Sequence, residues 1–495
     1  MESLTEPIEK SYLMDNITDY ITRITRLASR NNQLDTQLKQ LVSRYESIQD
    51  QNNRYQDLMK EFAPDEGAKV GVGRREIQRY PMVSLMFVSV RGFHKLAGHP
   101  KAVELIDLLD ELHMTLQIIC KKYKIVRVRT IGDSFLFASG MPEENHTNPI
   151  DVMDAAREMI EAVRLSSFSL NNGNPFWELS IGIHTGPVTA EHTGKKNTPY
   201  SLTGESVNIA YRVGRISKAG SISLSVMTGE MIKEFYETDH WGSLPVKYKG
   251  CIDVFYLKGI IPELSVDGLG NTPNDMFRIK YGLIQFMDIQ EALLDRLEQH
   301  LPANLYYHNV KHTIDVVTEV ELIGWAEGVN DEELLMLKLA ALFHDSGHIV
   351  SYQNHEFYGT QIATDMLSSY SNYTPENIET ICRLIMATKM PPSPQDTLES
   401  VMCDSDLDYL GRADFIPVSN SLYQELKERE MIDSFDNWNR MQLKFINKHQ
   451  YFTETARSLR EVNKKSQIER LTKLLEHDPV FLAELQKHSV EIPKG

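Results

Sequence analysis

The chain has 495 residues, of which 41% are hydrophobic and 24% are charged. This length has room for two or three domains with cores of their own, and the composition is typical of a globular protein. A formal net charge of −17 argues against nucleic acid as a partner, because that binding needs concentrated Lys and Arg. Apolar runs stay below the ~20 residues of a membrane helix, and the four cysteines are scattered without CxxC spacing. We therefore expect a cytoplasmic protein with no membrane span.

Residues 13–62 carry a heptad repeat of apolar and aromatic residues separated by mostly polar ones. A sustained heptad seam predicts a left-handed coiled coil. Asn31 and Asn52 fall at a positions, where buried Asn favours a parallel, in-register dimer. The alternative is a single amphipathic helix lying on a domain, but the absence of Gly and Pro from the repeat favours the dimer. Pro64 ends the repeat, and residues 63–79 are predicted to be a linker.

From about Met82 the periodicity changes to short apolar runs that alternate with helical patterns. Met82 to Val90 is the first run of strand length, and Pro100 to Cys120 is the first helical pattern. This alternation indicates an α/β or α+β domain, which we place at residues 80–260.

The motifs of this domain resemble those of class III nucleotide cyclases. The resemblance implies the family's ferredoxin-like α+β fold. The motifs are Ser89-Val90-Arg91-Gly92-Phe93, Thr130-Ile131-Gly132-Asp133-Ser134, Gly182-Ile183-His184-Thr185-Gly186, the segment 204–212 with its G-x-x-V-N-x-A-x-R pattern, and Lys247-Tyr248-Lys249-Gly250.

By this resemblance, cyclisation of a nucleoside triphosphate needs two divalent ions held by two Asp residues. Asp133 stands at one of these positions, but Ser89 stands at the other. A neutral hydroxyl cannot replace a carboxylate that bridges two cations, so we expect a homodimer to be a weak or inactive cyclase. Asn208 and Arg212 match the family residues that position the ribose and face the triphosphate.

The residues that would recognise the base do not decide between ATP and GTP. Arg129 stands where the family has Lys or Glu, and Ser201 where it has Asp or Cys. Arg129 can donate to adenine N1 or to guanine O6, so ATP and GTP, with Mg or Mn, are both candidates; its positive charge favours adenine. Lys249, or with less support Lys247, could meet phosphate.

Several assemblies and roles follow for this domain. We expect a homodimer through the coiled coil and the cyclase-like domain, acting first as a nucleotide-binding regulator. A heterodimer with a homologous cyclase that carries both Asp residues could form a working composite site. An inert dimerisation scaffold is the third reading.

The last part of the chain contains a mixed set of His and Asp residues. Residues 261–275 are rich in Gly, Pro and acidic residues and predict an exposed linker, while residues 276–490 read as an all-α domain. His308 and His312, at i and i+4, would share one face of a helix. With His344-Asp345 downstream they predict a divalent centre of Mn, Mg, Zn or Fe type.

These motifs resemble the HD superfamily of metal-dependent phosphohydrolases. The run from Tyr307 to His312 resembles class I cyclic-nucleotide phosphodiesterases, whereas the segment 404–409 resembles other HD hydrolases, including nucleotide triphosphohydrolases. The resemblance implies His308 as a general acid that protonates the leaving oxygen. The implied metal ligands are His312, His344, Asp345 and Asp404, with Asp406 as the reserve candidate for the last position and His348 and His355 as either outer-shell partners or ordinary histidines.

The sequence thus predicts a cyclic-nucleotide signalling protein with three parts: a parallel coiled coil, an α+β cyclase-like domain and an all-α HD domain. The favoured activity is metal-dependent hydrolysis of a nucleotide phosphoester, most plausibly a cyclic nucleotide, regulated by nucleotide binding to the cyclase-like dimer. The alternatives are an active adenylate cyclase, alone or complemented by a homologue, and a non-catalytic nucleotide sensor.

Overall fold

A computed structural model describes residues 77–92, 102–131, 133–165, 169–170, 174–175, 178–192, 200–246 and 250–476. The predicted coiled coil at 13–62, most of the linker at 63–79, both Lys247 and Lys249, and the segment 477–490 lie outside the described residues. The described part consists of an α+β sheet domain followed by a helical region.

One large sheet organises the first domain. Its strands are β1 (Ile77–Arg91), β2 (Val126–Ile131), β3 (Ser134–Ser139), β6 (Glu178–His192), β7 (Tyr200–Thr203), β8 (Ile222–Ser225), β9 (Tyr236–Val246) and β10 (Gly250–Ile260), with β4 (Ser169–Leu170) and β5 (Asn174–Pro175) forming a separate pair. In the described residues the strand order is β2-β3-β1-β6-β8-β10-β9, with β7 paired to β6. The β6–β8 pair is parallel, whereas the other pairs in this sheet are antiparallel.

Helices cover both faces of this sheet. They are α1 (Ala102–Lys122), α2 (Asn148–Leu165), α3 (Glu205–Ile216) and α4 (Val226–Ile232). A Cβ added to Gly214 of α3 would lie 2.4 Å from the Phe87 ring, and one added to Gly182 of β6 would lie 2.1 Å from the Gly214 nitrogen. Only glycine allows so close an approach. The two glycines therefore let α3 lie directly on the sheet, which sets the position of Asn208 and Arg212.

The segment that was predicted to be an exposed linker is partly packed. Leu264 is buried, Ser265 forms a β-bridge with Pro273, and the Ile260 amide donates to the Gly270 carbonyl. Burial of Leu264 in the core of the sheet domain is the physical reason that the chain turns back here instead of running free.

The next helix, α5 (Asp275–His300), contributes to two hydrophobic cores. Phe277 near its start is buried in the core of the sheet domain, whereas Phe286 and Leu293 are buried in the core of the helical region. Between them, the Tyr281 hydroxyl donates to Asp151 of α2 at 2.7 Å. The boundary between the two parts thus runs through a continuous helix.

The helical region carries the metal-ligand candidates that the sequence predicted. It contains α6 (Val310–Glu327), α7 (Asp331–Phe343), α8 (His355–Leu367), α9 (Pro375–Ala387), α10 (Thr397–Asp406), α11 (Phe415–Glu428), α12 (Phe435–Lys448) and α13 (Glu454–Leu475). Helix α7 is the most apolar, and its side chains from Leu334 to Leu337 and from Leu339 to Phe343 are buried. Among the described residues, no helix is both long and apolar enough to cross a membrane.

Candidate functional site

The strand ends at Ser89 and Ser134 form the first candidate site. The two residues are cross-strand partners on β1 and β3, and the Ser134 hydroxyl lies 3.1 Å from the Ser89 hydroxyl. The same Ser134 hydroxyl lies 2.9 Å from Oδ1 of Asp133, which is half-buried. A site for two divalent ions needs a second carboxylate, and a neutral serine hydroxyl is a poor substitute. The residues at this end of the sheet therefore do not fit a two-ion site within one chain.

The other predicted nucleotide contacts lie on the surface of the sheet domain. Asn208 is exposed on α3, and Arg212, one turn later, is half-buried and donates to the Pro245 carbonyl at 2.8 Å. Arg129 is exposed on β2, and this strand contacts β7, which carries Ser201. Their positions leave the Asn208 amide, the Arg129 guanidinium and the remaining donors of Arg212 accessible to a ligand.

The start of α6 places the histidines of the helical region differently from the prediction. The Asn309 side chain caps this helix by accepting from the amides of Lys311 and His312. His308 therefore precedes the helix, and the prediction that His308 and His312 share a helix face is wrong. The two rings still approach, with centroids 6.0 Å apart.

Two histidines and two aspartates converge at the centre of the helical region. Nε2 of His312 lies 3.4 Å from Asp345 Oδ2 and 3.2 Å from Asp406 Oδ1. Nε2 of His344 lies 3.2 Å and 3.5 Å from the same two oxygens. Nδ1 of His344 lies 2.7 Å from the Ala341 carbonyl, a hydrogen bond that aims Nε2 at the cluster. His312, His344 and Asp345 each offer a ligand atom within 4.8 Å of the others, and such a set of nitrogen and oxygen donors could hold a divalent cation.

The charges of this cluster depend on one another. Burial alone would lower the pKa of His344, but the adjacent Asp345 carboxylate outweighs it and raises that pKa well above its ordinary value. Burial would likewise raise the pKa of Asp345 and of Asp406, but neighbouring histidines hold both well below the usual range for a carboxyl. The two carboxylates therefore stay ionised and need positive charge beside them, which imidazolium groups or a cation can supply.

Asp404, predicted as the fourth ligand, does not join the cluster. Its buried carboxylate accepts from the amides of Phe452 and Thr453 and from the Thr453 hydroxyl, at distances from 2.7 to 3.0 Å. Residues two apart on a helix point about 200° away from each other, so Asp404 and Asp406 lie on opposite faces of α10. Asp406 instead lies beside His312 and His344, and Asp404 anchors the start of α13.

Glu425 is a site residue that the sequence reading missed. This fully buried carboxylate of α11 contacts Nδ1 of His308 and accepts from the amides of Tyr307 and His308. Burial would raise the pKa of Glu425, but these hydrogen bonds lower it to about 2. Because Glu425 stands in a charge-rich stretch that reads as a solvated helix, nothing in the local sequence marks it.

Two further histidines lie beside the second oxygen of Asp345. Nε2 of His355 is 3.4 Å and Nε2 of His348 is 3.8 Å from Asp345 Oδ1. A cavity of 390 Å³ opens next to this group and is lined partly by Tyr307, Phe415 and Trp438. The cluster thus borders a cavity whose wall is partly aromatic.

The sheet domain has known relatives. Residues 75–259 match the family model described as adenylate and guanylate cyclase catalytic domain. This part of the chain thus matches the class III cyclase family. The cyclase motifs predicted the family correctly for these residues.

Curated relatives support the same assignment. The speract receptor of Strongylocentrotus purpuratus is 25% identical over 282 residues, which are 56% of this chain and 24% of that protein. Retinal guanylyl cyclase 2 of Rattus norvegicus is 27% identical over 252 residues, or 49% of this chain and 22% of that protein. The chain thus spans less than a quarter of the length of these relatives.

Among solved structures, the guanylate cyclase domain of RhGC from Catenaria anguillulae in complex with GTP is 29% identical. The match covers 36% of this chain and 97% of the RhGC chain, with a TM-score of 0.33. The adenylyl cyclase CyaB from P. aeruginosa is 23% identical and covers 37% of this chain and 95% of that one, with a TM-score of 0.34.

These comparisons correct the predicted enzyme class. The sequence reading favoured an HD-type metal-dependent phosphohydrolase or phosphodiesterase. That prediction is wrong, because the matched family is the adenylate and guanylate cyclases, whose reaction is that of a lyase. The general-acid role predicted for His308 belonged to the hydrolase and is withdrawn with it.

Proposed function

We propose that this chain is a nucleotide-signalling protein whose cyclase domain binds a purine nucleoside triphosphate but forms little cyclic nucleotide by itself. The observation that carries the proposal is the pair of hydroxyls at Ser89 and Ser134 beside a single carboxylate, Asp133. Asn208 and Arg212, which match the family's ribose and triphosphate residues, are present and accessible. Binding groups are therefore retained while the charge needed for the chemical step is reduced.

Each residue has a role in this proposal. The guanidinium of Arg212 offers positive charge and several donors to the triphosphate, and the Asn208 amide orients the ribose. Arg129 lies where the base is read and can donate to either purine. Its charge favours adenine, while relatives named guanylyl cyclases make GTP the second candidate.

The experiment is a comparison of binding with turnover. Isothermal titration of the full chain with ATP and GTP in the presence of Mg should show binding that Arg212→Ala weakens at least tenfold. The same protein with Mn and either nucleotide should form little cyclic product. Absence of binding to both nucleotides would refute the proposal, and Arg440→Ala, which alters an Arg of α12 far along the chain from these motifs, is the matched control.

We also propose that dimerisation is needed for this binding. Cyclase domains typically pair, and the predicted coiled coil at 13–62 would hold the pair together. A homologue with both Asp residues could supply the missing carboxylate, giving an active heterodimer. Adding such a cyclase domain to this chain should then yield cyclic nucleotide that depends on Asn208 of this chain.

A second proposal concerns the helical region, which we infer binds one divalent cation through His312, His344, Asp345 and Asp406. The converging nitrogen and oxygen atoms of these residues support it. Mn, Zn and Fe suit such a mixed set better than Mg does, because Mg prefers oxygen ligands. Elemental analysis of the purified chain should find this ion, and His344→Ala should remove it.

A further inference from the structure

Two cavities border the central cluster of the helical region. We call the cavity of 390 Å³ the aromatic cavity, because Phe415 and Trp438 lie on its wall. A second cavity, of 220 Å³, also contains Asp406 of the cluster, and we call it the polar cavity because its wall carries several charged side chains. Tyr307 and Tyr409, whose ring centroids are 5.4 Å apart, line both cavities. The cluster therefore borders two spaces of different chemistry.

The polar cavity runs from the protein surface to the cluster. Lys311 and Asp414, whose side chains are 70% and 42% exposed, lie on its outer wall. His312 and Asp406, whose side chains are 9% and 19% exposed, lie on its inner wall. The cavity has room for an ion with several waters, because a water occupies about 30 Å³ of the liquid. A small hydrated ion can therefore reach the cluster through it.

Carboxylates outnumber cationic groups along the polar cavity. Its wall contains the cationic groups of Lys311 and Arg412 and the carboxylates of Asp315, Glu319, Asp406, Asp408 and Asp414. Arg460, which contacts Asp408 and Glu319, adds a third positive charge and still leaves an excess of negative charge. A cleft lined mainly by one sign of charge concentrates ions of the opposite sign. The polar cavity therefore favours a cation.

Asp408 supplies an independent sign of a missing ligand. Its side chain lines the polar cavity, and the residue is 2% exposed. Oδ1 of Asp408 accepts from Nε of Arg460, whereas Oδ2 has no hydrogen-bond partner among the described residues. A buried carboxylate oxygen without a partner is costly, and it calls for a water or an ion beside it.

The carboxylates of the polar cavity do not themselves form a coordination site. Among the described residues, the groups of three or more ligand atoms within 4.8 Å of one another consist of histidines and Asp345, and none contains Glu319 or Asp408. These carboxylates are thus placed to accept hydrogen bonds from the waters of a passing ion. Direct coordination becomes available only at the inner end, where the cluster lies.

The aromatic cavity is a poorer route for such an ion. It contains Glu356 and two carboxylates of the cluster, but the rest of its wall is mainly apolar, with Leu410, Phe415, Trp438 and Phe445 among its members. Moving a charge from water to an apolar wall is costly. A hydrated cation therefore meets the lower barrier in the polar cavity.

Arg412 bridges the two sides of the polar cavity. Its guanidinium donates to both oxygens of Asp414 at 2.9 and 2.7 Å, and to Asp315 of α6 at 3.1 Å. Asp414 directly precedes α11, so the bridge ties this helix to α6. The guanidinium is positively charged and repels a cation that passes beside it.

We propose that the polar cavity is the route by which a partly hydrated divalent cation enters and leaves the cluster, with Arg412 as its gate. This proposal rests on the proposed single-ion site and adds to it the path that controls the rate of metal exchange. A route affects entry and release equally. Closing it should therefore slow both and leave the Kd for the ion unchanged.

The test compares a bulky side chain placed in each cavity. The full chain is freed of metal by chelation and mixed rapidly with Co, whose visible absorbance reports binding. Ser421→Trp, in the polar cavity, should slow loading at least about tenfold at unchanged Kd, a change within the range that on-rates of related variants span. Met441→Trp, at an exposed position of the aromatic cavity, should load like the wild type.

Charge variants test the gate and the carboxylates. Arg412→Met should speed loading, and Glu319→Gln should slow it, because the cavity becomes more negative in the first and less negative in the second. Added salt should slow loading of the wild type by screening these charges. Asp365→Asn, which alters an exposed residue of α8, should leave the rate unchanged.

Labelling after folding covers variants that fold poorly. Ser421→Cys and Met441→Cys, each in a Cys251→Ser background, are reacted with a bulky maleimide once folded, and the labelled background protein is the reference. Slow loading of the labelled Ser421→Cys protein alone supports the proposal. Slow loading of the labelled Met441→Cys protein alone, or of neither, would overturn the route and preserve the single-ion site. No Co binding by the wild type would overturn both.

Discussion

The Ser134 hydroxyl lies 3.1 Å from the Ser89 hydroxyl, at the strand ends where the cyclase family places a carboxylate. The same Ser134 hydroxyl also lies 2.9 Å from Oδ1 of Asp133, so one carboxylate stands directly beside this pair of hydroxyls. The neutral pair can form a hydrogen bond, whereas a carboxylate at Ser89 would face Asp133 and be repelled unless cations lay between them. In the proposed function, Ser89 therefore removes one of the ligands that a two-ion site would need.

Substitutions of the two aspartates of α10 should have different effects on stability and on metal content. Asp404→Ala removes a buried acceptor of amide and hydroxyl hydrogen bonds and should destabilise the fold by about 2–4 kcal/mol, seen as a lower midpoint in urea. Asp406→Asn should lower the bound metal while changing the stability of the metal-free protein much less. Equal loss of metal from both variants, each still folded, would contradict the assignment of Asp406 over Asp404.

The contact between His146 and Asp288 should make the junction of the two domains sensitive to pH. Nδ1 of His146 lies 2.6 Å from Asp288 Oδ1, and this hydrogen bond raises the pKa of His146 although burial opposes it. A raised pKa in the folded state means that the stabilisation is complete below the unfolded value of 6.5 and is lost as pH rises through the folded value.

Thermal unfolding from pH 6 to pH 9 tests this contact. Wild type should exceed Asp288→Asn most at the acidic end, and the difference should shrink as pH rises. Asp295→Asn, which alters an exposed residue of the same helix, should show no such trend. A difference that grows with pH would contradict the sign of the shift.

The shared helix α5 should couple the stabilities of the two domains. Phe277 packs edge-on against Phe235 at 5.0 Å and Tyr236 at 5.9 Å, so Phe277→Ala should cost about 3–5 kcal/mol. Hydrogen exchange should then rise in the sheet domain and also in the first helices of the helical region. Met276→Ala, at an exposed neighbouring position, is the control, and a change confined to the sheet domain would show that the helix does not transmit it.

Removing residues 1–62 should weaken the proposed dimer, because the heptad repeat that predicts the coiled coil lies there. Sedimentation of the truncated chain should show a larger fraction of monomer than the full chain at the same concentration. A fourfold substitution of apolar heptad positions by Ser, within the full chain, is the matched variant. An unchanged dimer in both would remove the role of the predicted coiled coil.

The sequence predicted the sheet domain more completely than it predicted the helical region. The ordered cyclase motifs carry backbone constraints, such as the contact between Gly182 and Gly214, and so they identified the domain. The sequence alone shows that Ser89 stands where the family has an Asp. Its hydrogen bond to Ser134 could not be predicted, because strand register becomes known only from the fold.

In the helical region, spacing alone was a weaker guide. A periodicity argument placed His308 on a helix, but Asn309 caps that helix and leaves His308 outside it. The choice between Asp404 and Asp406 depended on which face of α10 meets the cluster, and Glu425 comes from a distant helix with no local signal. Side chains that meet only through tertiary packing leave little trace in a single sequence.

The most direct test of the central claim is restoration of the missing carboxylate. With Mn and ATP or GTP, Ser89→Asp should form cyclic nucleotide at least about tenfold faster than wild type, which corresponds to a barrier lowered by about 1.4 kcal/mol. Ser89→Asn, of similar size but neutral, should stay at the wild-type level, and Asp133→Asn should abolish the gain. Rapid turnover by the wild type, or no gain in a folded Ser89→Asp variant that still binds nucleotide, would contradict the account.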